Sequence, residues 1–532
     1  MTGKAEANLL EGGVAMAADP NERHFQVGDL RASMKGRAVS SGVVTLATQV
    51  LKFTLTMGGM MVLGRLLPPS DFGVIGMAMA ITTVLAMFTD LGLASATIQS
   101  NDITHARASN LFWINIGLSA VMGGAAACLA PVVAWFYHDG RLAHLSVVLA
   151  LTFPLTGLAY QHRAVLIRQM AFRKIAVIEV GSLLTSMVVA CAMAWLKCGY
   201  WSLAGMYLSL AGSACVLTWS LSRWRPQLPT RLGHDPRLLK FGLELSASSF
   251  VIYVARGCDT LLLGKFWGAT VTGLYTRAFA LLVRPIDQVL SPIGSVMLPV
   301  LGRLRSDPER YRRVFRQMYD ALGLVLFPLA ALFLAAARPI VLVLLGPQWG
   351  AAAELLSGLT FAFLYLPYAT AAIWAFTTEG RSRDMLASSI ILNSLMAASF
   401  FIGVRHGALS MVLWYSISGL LVRLPLSFYL VGRHGPVRAS DLWKGFLQHL
   451  PTWGAVYAAA ALGMRLTRGA APIWQLAAAV PLGGLAALLM TLVLRRQRES
   501  ALLILNSVQA LRARRRESVQ GAGLPREPAA AR

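Results

Sequence analysis

Charge is what this chain has least of. Lys, Arg, Asp and Glu make up 14% of its 532 residues, where a soluble globular chain carries about 25%. Apolar residues fill 56% of it and the mean hydropathy is +0.59, an excess that soluble cores, which need a polar skin, cannot absorb. A string of soluble domains of roughly 150 residues each is thereby excluded, and a polytopic membrane protein is expected. Cysteine is scarce too. The five (Cys128, Cys191, Cys198, Cys215 and Cys258) lie in or beside apolar runs with no C-x-x-C pair, so they read as small buried hydrophobes and not as disulfides or metal ligands. The sequence holds no H-E-x-x-H, no D-x-D and no G-x-x-x-x-G-K-[ST], which gives no motif for a metal, a nucleotide-sugar site or ATP. No cofactor is expected.

What is abundant is positive charge: 48 Lys and Arg against 24 Asp and Glu, a net +24. In a soluble protein that balance would point to nucleic acid. In a membrane protein it points to basic loops held on the cytoplasmic side, and no nucleic-acid partner is expected. Residues 1–38 are polar and mixed in charge with no apolar run near the start, which predicts a cytoplasmic tail and not a cleaved signal peptide. Apolar stretches near the ~20 residues needed to span a bilayer then recur. They fall at 39–63, 72–94, 109–135, 142–160, 174–196, 200–222, 241–266, 272–300, 317–337, 353–378, 385–404, 407–432, 447–465 and 473–494. The stretch from Pro339 to Gly346 is too short to cross and is expected at the outer interface. The fold class is therefore all-α, with about fourteen transmembrane helices. An even number puts both termini on one side. With span-edge residues counted in the adjoining loop, 35 Lys and Arg lie on that side, 8 on the other and 5 inside spans. That bias places both termini in the cytoplasm. The tail 495–532 alternates Arg495, Arg496 and Arg498 with Leu502, Leu503, Ile504 and Leu505, then Arg514, Arg515 and Arg516. It reads as a basic amphipathic helix on the anionic inner leaflet.

An internal repeat organises these spans. The segment LGRLLPPSDFGVIGMAMAI at 63–81 aligns without gaps on LGKFWGATVTGLYTRAFAL at 263–281, with Leu63/Leu263, Gly64/Gly264, Gly73/Gly273, Ala78/Ala278 and Ala80/Ala280 identical. Six spans separate the copies, so both halves keep one orientation, a parallel repeat about an axis normal to the membrane. The expected organisation is an N-lobe at 39–222 (spans 1–6), a linker at 223–240, a C-lobe at 241–432 (spans 7–12) and a helix pair at 447–494. Two six-helix lobes suggest an alternating-access transporter with its site between them.

The text GRLLPPSDFGVIGMAMAI, FTDLGLASATIQS at 88–100, GLYTRAFALLVRPIDQVLSPIGSVMLPVLGRL at 273–304 and LLGPQW at 344–349 resembles the polysaccharide transporter family. Within the multidrug/oligosaccharidyl-lipid/polysaccharide flippase superfamily, the likeness is to the Wzx-type subgroup that includes the colanic acid exporter. It covers about residues 39–495. The resemblance implies a flippase for undecaprenyl-pyrophosphate-linked oligosaccharides in the bacterial inner membrane, with membrane lipids and the polysaccharide polymerase machinery as further partners. The alternatives are a lipid II flippase or a drug/cation antiporter of the same superfamily. A membrane-embedded glycosyltransferase or polymerase is disfavoured, because the outer loops are short and D-x-D is absent, so no enzyme is expected.

Five basic residues fall inside spans: Lys52, Arg256, Arg277, Arg284 and Arg423. Each costs ~2.5–3.5 kcal/mol at a helix centre, so several facing lipid would be untenable. Arg256 with Asp259, and Arg284 with Asp287, share helix faces at i,i+3, whereas Arg277 has no acid within a helical turn. They read either as ion pairs pinning span 7 to span 8 or as a cationic wall receiving pyrophosphate, which Arg suits through its planar fork. Lys52 is expected on the same wall from the other lobe. Arg423 is near enough to the cytoplasmic end of its span to snorkel. Asp90 reads as a helix-end residue or an ion-sensitive gate, with Asp259 and Asp287 as further coupling candidates. Glu179 and Glu244 are expected to be solvated at cytoplasmic ends. Pro285, Pro292 and Pro299 interrupt span 8, and Tyr253, Tyr275, Tyr365, Tyr368 and Trp374 are candidates for stacking on sugars.

Overall fold

Lipid offers no partner to a backbone N–H or C=O, so a segment inside it must satisfy its own. Among the described residues every regular element is accordingly a helix. The computed structural model describes residues 34–86, 88–89, 94, 97–98, 103–229 and 236–502, the side chains of 34–43, 46, 236–256, 292 and 296 excepted. Asp90, the side chains of Glu244, Tyr253 and Arg256, the N-terminal tail before residue 34 and the tail beyond 502 lie outside them. The chain forms two compact units that divide after Gly257.

The first unit contains α1 (Met34–Leu66), α2 (Pro69–Ala86), α3 (His105–Tyr137), α4 (Arg141–Ala150), α5 (Thr152–Arg168), α6 (Phe172–Trp195) and α7 (Trp201–Ser222). Two prolines end α1: a residue before proline is pushed out of the helical region, and Pro69 opens α2 at a position where its missing N–H costs nothing. Thr104 caps α3 by accepting from the Arg107 amide at 3.3 Å, and His138 closes it in the left-handed region at φ 57°. Helices α4 and α5 form one crossing, Arg141–Arg168. In lipid, association rests on close packing more than on hydrophobic transfer. Gly157 of α5 sits directly on Ser119 of α3, where a Cβ would collide. Phe112 of α3 packs edge-on to Trp219, Trp224 and the His162 ring. Outside α3, Arg141 pairs with Asp139 at 2.7 Å and lies over the Tyr200 ring. Trp135 and Trp195 stand exposed near the ends of α3 and α6, as interfacial tryptophans do.

The second unit begins within α8 (Pro236–Arg303), which Gly268 breaks at φ 74°, ψ −176° into arms 236–267 and 269–303. The space around Gly268 is open, so glycine is required there by backbone conformation alone. The repeat pairs Gly268 with Pro68: the same break is made by two different chemistries. Next come α9 (Pro308–Ala335), α10 (Ala337–Leu344), α11 (Ala352–Glu379), α12 (Ser382–Val404) and α13 (Ala408–Ser418). A π-helical turn (Gly419–Arg423) follows, then α14 (Leu424–Gly432), α15 (Ala439–Leu447), α16 (Leu450–Leu466) and α17 (Pro472–Val493). Asp307 caps α9 ahead of Pro308. Helix α11 is the centre of this unit, with Phe363, Tyr368 and Ala371 fully or almost fully buried. Gly445 of α15 lets the Tyr319 ring of α9 approach.

Eleven helices among the described residues are long and apolar enough to cross a membrane. They match the fourteen expected spans once the two arms of α8 are counted separately and α1 and the 17-residue α16 are added. The eight-residue α10 corresponds to the stretch expected to be too short. The segment after the last span starts with Arg495, Arg496 and Arg498 exposed and one residue turned inward. Gln497 is 1% exposed, accepts from Thr452 at 2.9 Å and donates to the Gln448 carbonyl at 2.9 Å. Its amide also lies 3.3 Å from His449 Nδ1. Gln448 in turn donates to Asp320 of α9 at 2.5 Å.

Candidate functional site

Of the cations expected on α8, Arg277 and Arg284 are described, both on the second arm. Arg277 is half-buried and Arg284 exposed, as is Asp287. Pro285, Pro292 and Pro299 all fall on this arm. Asp259 occupies the first arm, nine residues before the break, and is only 7% exposed. Its carboxylate accepts from the Tyr275 hydroxyl at 2.7 Å, seven residues beyond the break, and from the amide and hydroxyl of Thr260 at 2.5 and 3.0 Å. Within the second unit the chain therefore reverses at Gly268, with a buried acid bonded to neutral donors on both sides of the break. Tyr275, a candidate for stacking on sugars, is the partner of Asp259 and is stacked on Phe279.

Lys52 is placed differently from the expectation of a lone cation. Its ammonium meets Glu179 of α6 at 2.9 Å, and the other Glu179 oxygen takes Arg163 of α5. Glu179, expected to be solvated, is thus the shared carboxylate of a three-residue chain linking α1, α5 and α6. The depths show why. Lys52 lies 14 residues before Leu66 and Glu179 lies 16 before Trp195, so at 1.5 Å per residue they sit ~21 and ~24 Å from those helix ends. Beside this chain the first unit holds a cavity of about 310 Å³. Met79, Leu149, Thr156, Tyr160, Arg163, Ile178, Tyr207, Leu210, Ala211 and Ala214 are among its lining residues.

Arg423 does not snorkel. It is 1% exposed, and no carboxylate approaches it among the described residues. Its guanidinium lies 4.8 and 4.6 Å from the ring centres of Tyr365 and Tyr415 and donates to the Tyr415 carbonyl. The π-helical turn, in which the Leu424 N–H reaches back to Gly419, adds the residue that swings the side chain inward. Gly419 leaves it room: a Cβ there would stand 3.0 Å from the guanidinium. Tyr368 packs on Tyr319, and Trp374 covers Gly294. Among the described residues no group of three His, Cys, Asp or Glu is placed to hold a metal.

Outside the membrane, Asp441 of α15 accepts from Arg312 of α9 at 2.5 and 2.9 Å, and from the Arg438 amide at 3.2 Å. Burial raises this carboxyl, but the Arg312 and Arg438 bonds outweigh it and hold it below the ordinary 3.8. Arg381 joins Glu379 and Asp384 and donates to the carbonyls of Leu430, Val431 and His434, closing the end of α14. Sequence reading did not single out the Arg312–Asp441 pair, 129 residues apart, or the bond from Arg381 to the Val431 carbonyl, 50 residues away.

Two apolar helical units with charged and hydrogen-bonded groups held inside them define a polytopic all-α membrane transporter. The chain belongs to the polysaccharide biosynthesis protein family, whose model matches residues 62–354, and the resemblance to polysaccharide transporters stands confirmed. It is 25% identical over 440 residues to the lipopolysaccharide biosynthesis protein WzxC of Escherichia coli (strain K12), covering 80% of this chain and 88% of that one. It is 24% identical to the teichuronic acid biosynthesis protein TuaB of Bacillus subtilis (strain 168), over 79% and 86% of the two chains. Among solved structures, the lipid II flippase MurJ in an inward closed conformation matches with a TM-score of 0.68 at 12% identity, over 86% of this chain and 99% of that one. This last likeness is one of fold. The chain is a multi-pass membrane transporter of polysaccharide biosynthesis and not an enzyme.

Proposed function

We propose that the chain is a flippase carrying undecaprenyl-pyrophosphate-linked oligosaccharide repeat units from the cytoplasmic to the periplasmic leaflet of the bacterial inner membrane. It works by alternating access and serves exopolysaccharide, capsule or lipopolysaccharide assembly. The observation that supports this best is the placement of Arg277 and Arg284 on one arm of α8 in a member of a polysaccharide biosynthesis family. Cations inside a membrane are expensive unless they serve a path for charge, and the arginine fork binds phosphate oxygens in pairs. Arg256, by its spacing with Asp259, completes this cationic group. Lys52 is the candidate contribution to it from the other lobe. Asp259 is the leading ion-coupling group, since the neutral donors around it can hold it charged or protonated; Asp90 and Asp287 are the others. The excess of Lys and Arg on one side supports cytoplasmic termini. Membrane lipids surround the carrier, and the polymerase machinery consumes its product.

Deleting the gene and identifying the lipid that accumulates on the inner leaflet tests the reading. An undecaprenyl-pyrophosphate oligosaccharide is the expected product. A peptide-bearing lipid II would assign the chain to peptidoglycan transport instead, and an unchanged lipid profile would remove the proposal.

A further inference from the structure

The cavity inside the first unit is not used by the path proposed through α8, and its chemistry is that of a separate site. Its wall is mainly apolar, with Met79, Ile178, Leu210 and Ala211 facing one space, and Tyr160 and Arg163 line it from consecutive turns of α5. Arg163 is bonded to Glu179 through Nη2 only. Its Nε and Nη1 make no bond to protein among the described residues, and the side chain is 49% exposed. Two cations share the single carboxylate of Glu179, so the cluster keeps one net positive charge, and that charge faces the opening. At about 310 Å³ the cavity lies at the small end of the ~300–1,000 Å³ range of ligand pockets, a size that suits the first segment of a lipid chain.

We propose that this cavity binds the phosphate end of a membrane lipid. The phosphate sits on the two remaining donors of Arg163 beside the Tyr160 hydroxyl, and the proximal carbons of the chain lie against Met79, Ile178 and Leu210. Charge complementarity selects the anion: a neutral lipid leaves the excess cation uncompensated, and a free inorganic phosphate leaves the apolar wall in contact with water. Glu179 holds Arg163 toward the opening and keeps Lys52 from competing for the phosphate, so it is a positioning residue. The phosphate-bearing lipid can be the isoprenoid carrier or an acyl phospholipid of the bilayer. The isoprenoid case rests on the flippase reading above; the site itself does not.

The test uses the full chain purified in detergent, with binding followed by native mass spectrometry for four probes: farnesyl phosphate, dihexanoyl phosphatidic acid, farnesol and inorganic phosphate. Either phosphate-headed lipid is expected to bind at least tenfold more tightly than farnesol or inorganic phosphate. Arg163→Ala should weaken it by about ten- to a hundredfold, the range for a charged hydrogen bond. Ala211→Phe, which fills the cavity and leaves the cations intact, should weaken it as much; unfolding midpoints within the error of the parent confirm that both variants fold. Tighter binding of farnesyl phosphate identifies the carrier, and tighter phosphatidic acid identifies a bilayer lipid. Equal binding of inorganic phosphate and the lipids, or lipid binding unchanged in both variants, overturns the proposal. Polysaccharide export by the same variants separates it from the flippase reading: lost binding with normal export refutes a transport role for this site alone. Intact binding in a chain whose deletion accumulates no lipid-linked glycan refutes the flippase reading alone.

Discussion

Replacing Arg423 by methionine should leave the protein nearly as stable as the parent, although it removes a fully buried charged residue. The charge costs ~2.5–3.5 kcal/mol at the centre of a span. Against that stand two ring faces at 4.8 and 4.6 Å, at roughly 0.5–2 kcal/mol each. One bond to the Tyr415 carbonyl adds about 1.5–3 kcal/mol for a charged donor. At the middle of each range, cost and gain cancel to within about 2 kcal/mol. Methionine gives up both sides of the sum while filling much of the same space. Arg423→Ala instead opens a cavity beside Tyr365, and large-to-small core changes cost about 2–5 kcal/mol. Arg423→Lys keeps the cost of the charge but loses the flat surface that lies between the rings and the reach to the carbonyl. The expected order of stability is parent close to methionine, then alanine and lysine below. Equilibrium unfolding in detergent, read by tryptophan fluorescence, measures it. A methionine variant as unstable as the alanine one would show that the guanidinium itself holds the π-turn, and a lysine variant equal to the parent would show that any cation suffices.

Tyr275→Phe should destabilise the second unit by about 1–3 kcal/mol, because it strands a buried Asp259 oxygen, whereas Asp259→Asn should cost less, since the amide oxygen still accepts from Tyr275; the reverse order in unfolding experiments would contradict the hairpin bond. Asp441, held below 3.8 by Arg312, contributes stability that is present above the ordinary carboxylate value and is lost as pH falls through its lower folded value. Thermal melts of the parent should therefore drop below about pH 4 more steeply than those of Asp441→Asn, and parallel curves would argue against the Arg312 pair. Arg277→Ala should reduce surface polysaccharide at equal protein level, while alanine at the exposed Arg468 should not; equal export by both contradicts the path through α8. An inside-negative potential favours outward movement of a pyrophosphate by ~2.3 kcal/mol per charge per 100 mV. Reconstituted vesicles given only that potential should flip faster, and dependence on a proton or sodium gradient alone would replace this by antiport.

The helices and their pairing were readable in the sequence because lipid allows a segment few choices. Fourteen apolar runs became helices, and the repeat marked Pro68 and Gly268 as the same turn. The side-chain partnerships were hidden for separate reasons. Lys52 and Glu179 are 127 residues apart, and their common depth emerges only when helices are measured from the ends at Leu66 and Trp195. Asp259 shares a helix face with Arg256 at i,i+3, yet its described partner across the fold, Tyr275, is 16 residues away beyond a reversal, where helical spacing says nothing. Arg423 was expected to reach the cytoplasm because a regular helix was assumed. One added residue per turn rotates it inward, and no residue type in GLLVR announces a π-turn.

The burial of Gln497 bears on how the protein is made. Its amide closes on Gln448, His449 and Thr452, at the head of α16, and only after α17 has been synthesised and has returned across the membrane. Until then His449 and Thr452 wait without the partner that their buried positions require. The contact therefore acts as a latch that registers completed insertion of the last hairpin. In a chain whose final helix does not return, Thr452 and His449 lack the Gln497 contact that occupies them in the finished fold.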